Sequence, residues 1–133
     1  MNKEKRFVLG LVIIAVIDLF AGLMTISFWI GHLVGNRFPK TIPVPDNLYN
    51  AFALPDLVLA AFLLIASVGL LRFKKTGYIF ALMSGGMWLF DSLLVSGLTG
   101  FFKLSLVLPS LLFCLWSIYY LWKKREIFQL FAD

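Results

Sequence analysis

Four apolar runs, each about as long as a bilayer-spanning helix needs, constrain this chain more than any other feature. A helix requires about 20 mostly apolar residues to cross the hydrocarbon core, and such runs extend over about 7–34, 51–71, 78–98 and 104–122. They take up most of the 133 residues and leave little chain for a separate soluble domain. Composition argues the same way: 61% of the residues are hydrophobic and 14% charged, against about 45–50% and 25% in soluble domains. The expected fold is an all-α integral membrane protein, a single four-transmembrane-helix antiparallel bundle over residues 1–133, with the lipid bilayer as its first partner.

The placement of basic residues sets the orientation. Lys3, Lys5, Arg6, Arg72, Lys74, Lys75, Lys123, Lys124 and Arg125 fall on one side of the spans, and Arg37, Lys40 and Lys103 on the other. Lysine and arginine accumulate in cytoplasmic segments, so nine against three predicts a cell-membrane protein with both termini cytoplasmic. The first run follows basic residues as a signal peptide would, but it continues well past an ordinary signal core and has no convincing small-x-small cleavage site, which marks a retained helix. The formal charge of +5 does not imply nucleic acid, because these charges sit in short segments between spans rather than on one folded surface. A single cysteine, Cys114, excludes an internal disulfide and a cysteine zinc cluster.

Two connections, 72–77 and 99–103, are short and predict helical hairpins. The third, 35–50, is polar and carries Pro39, Pro43 and Pro45, a composition that resists helix; it is expected over the outer mouth of the bundle. Pro45 and Asp46 suit the first turn of the second helix, where a carboxylate caps free backbone donors. Leu54-Pro55-Asp56-Leu57 recurs as Leu108-Pro109-Ser110-Leu111, an echo that fits a duplicated helical hairpin.

The candidate chemistry lies in three carboxylates inside the apolar runs: Asp18, Asp56 and Asp91. An aspartate at a helix centre disfavours insertion by about 2.5–3.5 kcal/mol, so such residues face the bundle interior or a wet cavity. Counted from the inner ends at Phe7, Leu71 and Tyr78, at about 1.5 Å per residue, they lie about 16, 22 and 20 Å deep, and Ser110 about 18 Å. All four are expected in one layer. Asp18 shares a helical face with Ala15, Gly22 and Thr25, and Asp91 with Ser84, Trp88 and Val95; Ser110, Cys114 and Ser117 form a third polar stripe. Trp88, one turn from Asp91, offers a ring face to a cation. Pro55 cannot donate to the Ala51 carbonyl and crowds it, which frees backbone oxygen beside Asp56. No intramembrane lysine or arginine neutralises these carboxylates, so they are protonated, hydrated, bonded to one another or paired with a cation.

The expected function is a membrane-embedded binding or transport module, in which Asp56, Asp91, Asp18, Trp88 and Ser110 line an acidic cavity for a small cation, a proton or an amine-bearing small molecule. Asp56 is expected to matter most. Four helices are few for a complete carrier, which suggests a homodimer as the working unit. Two alternatives come from other classes. In an accessory or structural subunit the aspartates pair with basic residues of another membrane protein. In an enzyme, less favoured, two aspartates sharing a proton activate water; intramembrane aspartyl proteases pair Tyr-Asp with Gly-x-Gly-Asp, whereas this chain reads Ile17-Asp18 and Phe90-Asp91. No catalytic residue and no metal ligand set emerges, His32 being a lone histidine near the outer end of the first run, and the sequence identifies no cofactor. The orientation is tested with single cysteines at Asn2 and Asn47 in a Cys114→Ser background. An impermeant thiol reagent outside intact cells is expected to label position 47 and spare position 2; labelling of position 2 contradicts it.

Overall fold

The structure, a computed structural model, describes residues 3–35, 38–100 and 104–130, without the side chains of residues 3–8, 106, 129 and 130. Arg37 and Lys103 lie outside the described residues, as do the side chains of Lys3, Lys5 and Arg6 and most of the 99–103 connection. Six helices are present among the described residues: α1 (Lys3–Gly35), α2 (Asp46–Ala51), α3 (Ala53–Leu71), α4 (Lys75–Leu98), α5 (Leu104–Lys123) and α6 (Arg125–Leu130). No strand occurs among the described residues. Among the described residues three stretches are long and apolar enough to cross a membrane, namely Leu9–Gly35, Asp46–Leu71 and Lys75–Leu98, and a shorter apolar stretch covers Val107–Lys123.

The long helices pack in the order α1, α3, α4, α5. Small residues set their closest approaches. Gly22 of α1 lies against Ala60 and Leu64 of α3, Gly69 of α3 against Gly77 of α4, and Gly85 of α4 against Ile118 of α5. Trp29 of α1 reaches Asp56 of α3, Phe62 of α3 meets Phe80 of α4, and Trp88 of α4 meets Phe113 of α5. In each pair the residue number rises on one helix as it falls on the other, so neighbouring helices run antiparallel. The bundle therefore has a terminal end, carrying residue 3 and α6, and a loop end, carrying residues 38–45.

At the terminal end the α3–α4 turn is a Schellman closure. Lys74 N–H donates to the Gly69 carbonyl (2.9 Å) and Phe73 N–H to the Leu70 carbonyl (3.0 Å), with Phe73 in the left-handed region at φ 53°. That geometry is usually left to glycine; here the Phe73 side chain packs against the terminal core. This core joins Leu11, Ile14 and Ala15 of α1 to Ala66, Leu70, Ala81 and Leu121, and adds Ile127 and Phe128 from α6. The short α6 was absent from the sequence-based expectation. It folds back under the bundle, with the Phe128 ring 4.9 Å from Tyr78.

At the loop end Trp29, Ile42, Val44, Tyr49 and Ala53 form a second buried cluster. The loop is tied down by polar contacts. Lys40 Nζ donates to the Val44 carbonyl (2.8 Å) and pairs with Asp46 (2.7 Å), and the Thr41 amide donates to Tyr49 Oη (3.2 Å). Asp46 does open α2 after Pro45, but no side-chain cap forms; its carboxylate is engaged by Lys40 instead. The second span is interrupted at Phe52, three residues before Pro55. A proline crowds the carbonyl four residues back and lacks the N–H that would bond it, which accounts for a break at that point. Pro109, by contrast, sits within an unbroken α5.

The surface is apolar and part of the interior is polar. Phe20, Leu54 and Phe90 are 66%, 72% and 67% exposed, whereas Asp18, Ser67, Ser84, Ser96 and Ser117 are all buried. The Ser84 and Ser117 hydroxyls donate to the carbonyls of Ala81 and Cys114 within their own helices, so these side chains serve mainly as small spacers.

A side chain at Gly77 would overlap the backbone of Gly69, whereas one at Gly86 would meet nothing. Gly77→Ala is therefore expected to force α3 and α4 apart and to lower stability by about 1–3 kcal/mol. Gly86→Ala is expected to leave stability unchanged or raise it slightly. Thermal unfolding in detergent checks both.

Candidate functional site

The site is built where α1, α3 and α4 approach the loop end. Asp56 lies in the first turn of α3, just after the break at Phe52, and one of its carboxylate oxygens accepts a hydrogen bond from the Trp29 indole Nε1–H at 2.8 Å. Trp29 is almost fully buried. Asp91, on α4, lies within electrostatic reach of Asp56 and accepts no hydrogen bond from a described residue. Both carboxylates are half-buried.

Two cavities meet at these carboxylates. One, of about 360 Å³, lies among α1, the loop, α2, α3 and α4; its walls include Phe28, Trp29, Tyr49 and Phe52 together with Asp56 and Asp91. The other, of about 320 Å³, is a groove between the α2–α3 stretch and α4, lined by apolar side chains such as Leu48, Leu59, Met87 and Leu94, again with Phe52, Asp56 and Asp91. The two acids and Phe52 are thus common to both. Each volume falls within the range of small-molecule sites, about 300–1,000 Å³.

Aromatic rings dominate the first cavity. Trp29 and Tyr49 have ring centres 5.5 Å apart, and Phe28 meets Trp29 edge to face at 5.4 Å. His32 closes the cluster from the loop side, its ring nitrogens on the Phe38 carbonyl (2.6 Å) and Asn50 Oδ1 (3.2 Å). This combination of two carboxylates and several ring faces suits an organic cation, which gains from both charge pairing and cation–π attraction. Among the described residues no three His, Cys, Asp or Glu side chains converge as a metal site would require, and a hard cation such as calcium takes six to eight oxygens.

The five residues expected to line one cavity are not all brought together. Asp56 and Asp91 are; Asp18, Trp88 and Ser110 line neither cavity. Gly22 faces Ala60; Asp56 is four residues from Ala60 toward the loop end, and Asp18 four residues from Gly22 toward the terminal end. At about 1.5 Å per residue the two levels are about 12 Å apart. The depths were misaligned because α1 begins at Lys3 and overshoots the α3–α4 turn, so Phe7 and Leu71 are not level. Asp18 is instead buried near Cys114 of α5. Trp88 turns toward α5, its ring 5.5 Å from Phe113, and Ser110 is half-buried on α5.

The residues missed from the sequence are the aromatic ones, chiefly Trp29 and Tyr49. A trace was available: the stripe Asp18, Gly22, Thr25 continues at alternating spacings of four and three through Trp29 and His32, which places the indole on the interior face. Comparison with known protein families, with curated proteins and with solved structures gave no match to this chain.

Because Trp29 is the described donor to Asp56, Trp29→Phe should cost about 1–3 kcal/mol, partly from the carboxylate left unpaired. Asp91→Asn, which removes no such bond, should cost less than Trp29→Phe. Chemical or thermal unfolding of the two variants in the same detergent checks the order, and equal losses would contradict the assigned hydrogen bond.

Proposed function

We propose that this chain is a four-span membrane protein, with both termini on the cytoplasmic side, that binds an amine-bearing small molecule in the aromatic cavity at its loop end. A membrane setting is supported by three stretches of 24 to 27 residues with mean hydropathy from 1.5 to 2.5, by outward-facing apolar side chains, and by the excess of lysine and arginine beside the termini. Val107–Lys123 serves as the fourth span in this reading. Its apolar stretch is short, and a less tilted helix or local thinning of the bilayer accommodates it.

The observation that carries the ligand assignment is that Asp56 and Asp91 line both cavities while Trp29, Tyr49, Phe28 and Phe52 wall the larger one. An ammonium group between the carboxylates would neutralise charge where no described lining residue is a lysine or arginine, and its substituents would rest on ring faces. Trp29 fixes Asp56 in position, so ordering that side chain costs little on binding. Asp91, free of such a bond, is the acid that adapts to the ligand. The site serves a carrier, a sensor or a binding subunit equally well, and the chemistry at the carboxylates is common to all three.

The test is ligand-linked thermal stability in detergent, with butylamine, sodium and potassium as probes. Butylamine at about 100 times its dissociation constant should stabilise the wild type by about 2.7 kcal/mol. Asp91→Asn should abolish that stabilisation while the fold persists, and Asp56→Asn, which can still accept from Trp29, should do the same. Identical butylamine shifts in the wild type and both variants would contradict the assignment.

A further inference from the structure

We infer that the ligand is a cationic amphiphile, whose ammonium group sits at Asp56 and Asp91 and whose hydrocarbon tail lies in the groove between α3 and α4. The inference deepens the amine reading and rests on it. Its basis is that the two cavities adjoin at the same side chains, Phe52, Asp56 and Asp91, which line both. A short amine would fill only the aromatic side and leave the second space, about 320 Å³, without a use.

That second space has the chemistry of a tail site. Apart from the two acids at its inner wall, every described lining side chain is apolar, including Leu48, Leu59, Met87 and Leu94. Its rim reaches the outward surface: Phe90 is 67% exposed, and Leu48 and Leu94 are also exposed. An alkyl chain lying there passes from the rim inward to the carboxylates without meeting another charged side chain. Pro55 itself lines this path, together with Leu48, Ala51 and Phe52 from the stretch where α2 passes into α3. An amphiphile would therefore reach the site sideways from the hydrocarbon phase, head first. The loop, pinned by Lys40, Thr41 and His32, need not open.

The experiment uses the full chain in lipid nanodiscs and a dodecylamine analogue bearing a photoreactive diazirine at the tail end, with labelled residues mapped by mass spectrometry. Label is expected on the groove, at Leu48, Ala51 or Met87. Dodecylamine should compete better than dodecanol, which enters the bilayer but lacks the charge, by about tenfold or more, and Asp91→Asn should lose the groove label. Label confined to remote outward-facing residues such as Phe20 and Leu112, with no competition, would overturn the inference by showing that the tail stays in the bilayer. Butylamine separates the two claims. If it stabilises the protein while the groove stays unlabelled, the amine site stands and the tail assignment falls. If neither amine acts, both fall.

Discussion

A carboxylate withdrawn from water needs a donor, and an indole N–H withdrawn with it needs an acceptor. In this chain the two needs meet in the 2.8 Å bond between Trp29 and Asp56, and the loop-end half of the molecule is arranged around it. The bond fixes the level at which α1 crosses α3. It also places the Trp29 ring where Tyr49, Ile42, Val44 and Ala53 cover it, and so gives the proline-bearing loop an apolar floor. The same contact holds one acid still and leaves Asp91 on the facing helix without a described donor. The asymmetry of the proposed site, one acid fixed and one adaptable, follows from a single hydrogen bond.

The two ends of the bundle solve opposite packing problems. At the terminal end glycines let backbones touch, Gly69 on Gly77 above all, and α6 seals the remaining gap with Ile127 and Phe128. At the loop end large side chains line the space between the elements, which forms the two cavities. The tight end supplies the packing that keeps the open end in register. Interfaces made by small residues and spaces walled by large ones are the ordinary means by which helices associate where water does not drive them together.

The long helices, though not α6, and the 35–50 and 72–77 connections could be read from run length, proline content and charge, because each depends on local composition. Register could not. Residues 7 and 71 looked like matching ends, and the Gly22–Ala60 contact and the Trp29–Asp56 bond reveal that α1 overshoots its neighbour and carries Asp18 below the other acids. The pairing of Asp56 with Asp91 survived because α3 and α4 are joined by a short turn, which fixes their relative level from sequence alone. The role of Trp29 is not legible from sequence, since a tryptophan near a helix end fits an interfacial position as well as an interior one, and its partner lies 27 residues away. The effect of Pro55 was visible in kind, a disturbance one turn before Asp56, and its result is a one-residue interruption at Phe52, which keeps right-handed helical dihedrals.

The central claim is that an ammonium group rests between Asp56 and Asp91, and the most direct measurement is a distance. Solid-state NMR on lipid-reconstituted protein, with carboxyl-¹³C aspartate and ¹⁵N-labelled dodecylamine, reads nitrogen-to-carboxyl separations through dipolar dephasing. The account predicts dephasing that corresponds to direct ion pairing, with nitrogen and oxygen within about 4 Å, reduced in Asp56→Asn and in Asp91→Asn but unchanged in Asp18→Asn. Dephasing that persists in both site variants and disappears in Asp18→Asn would contradict it.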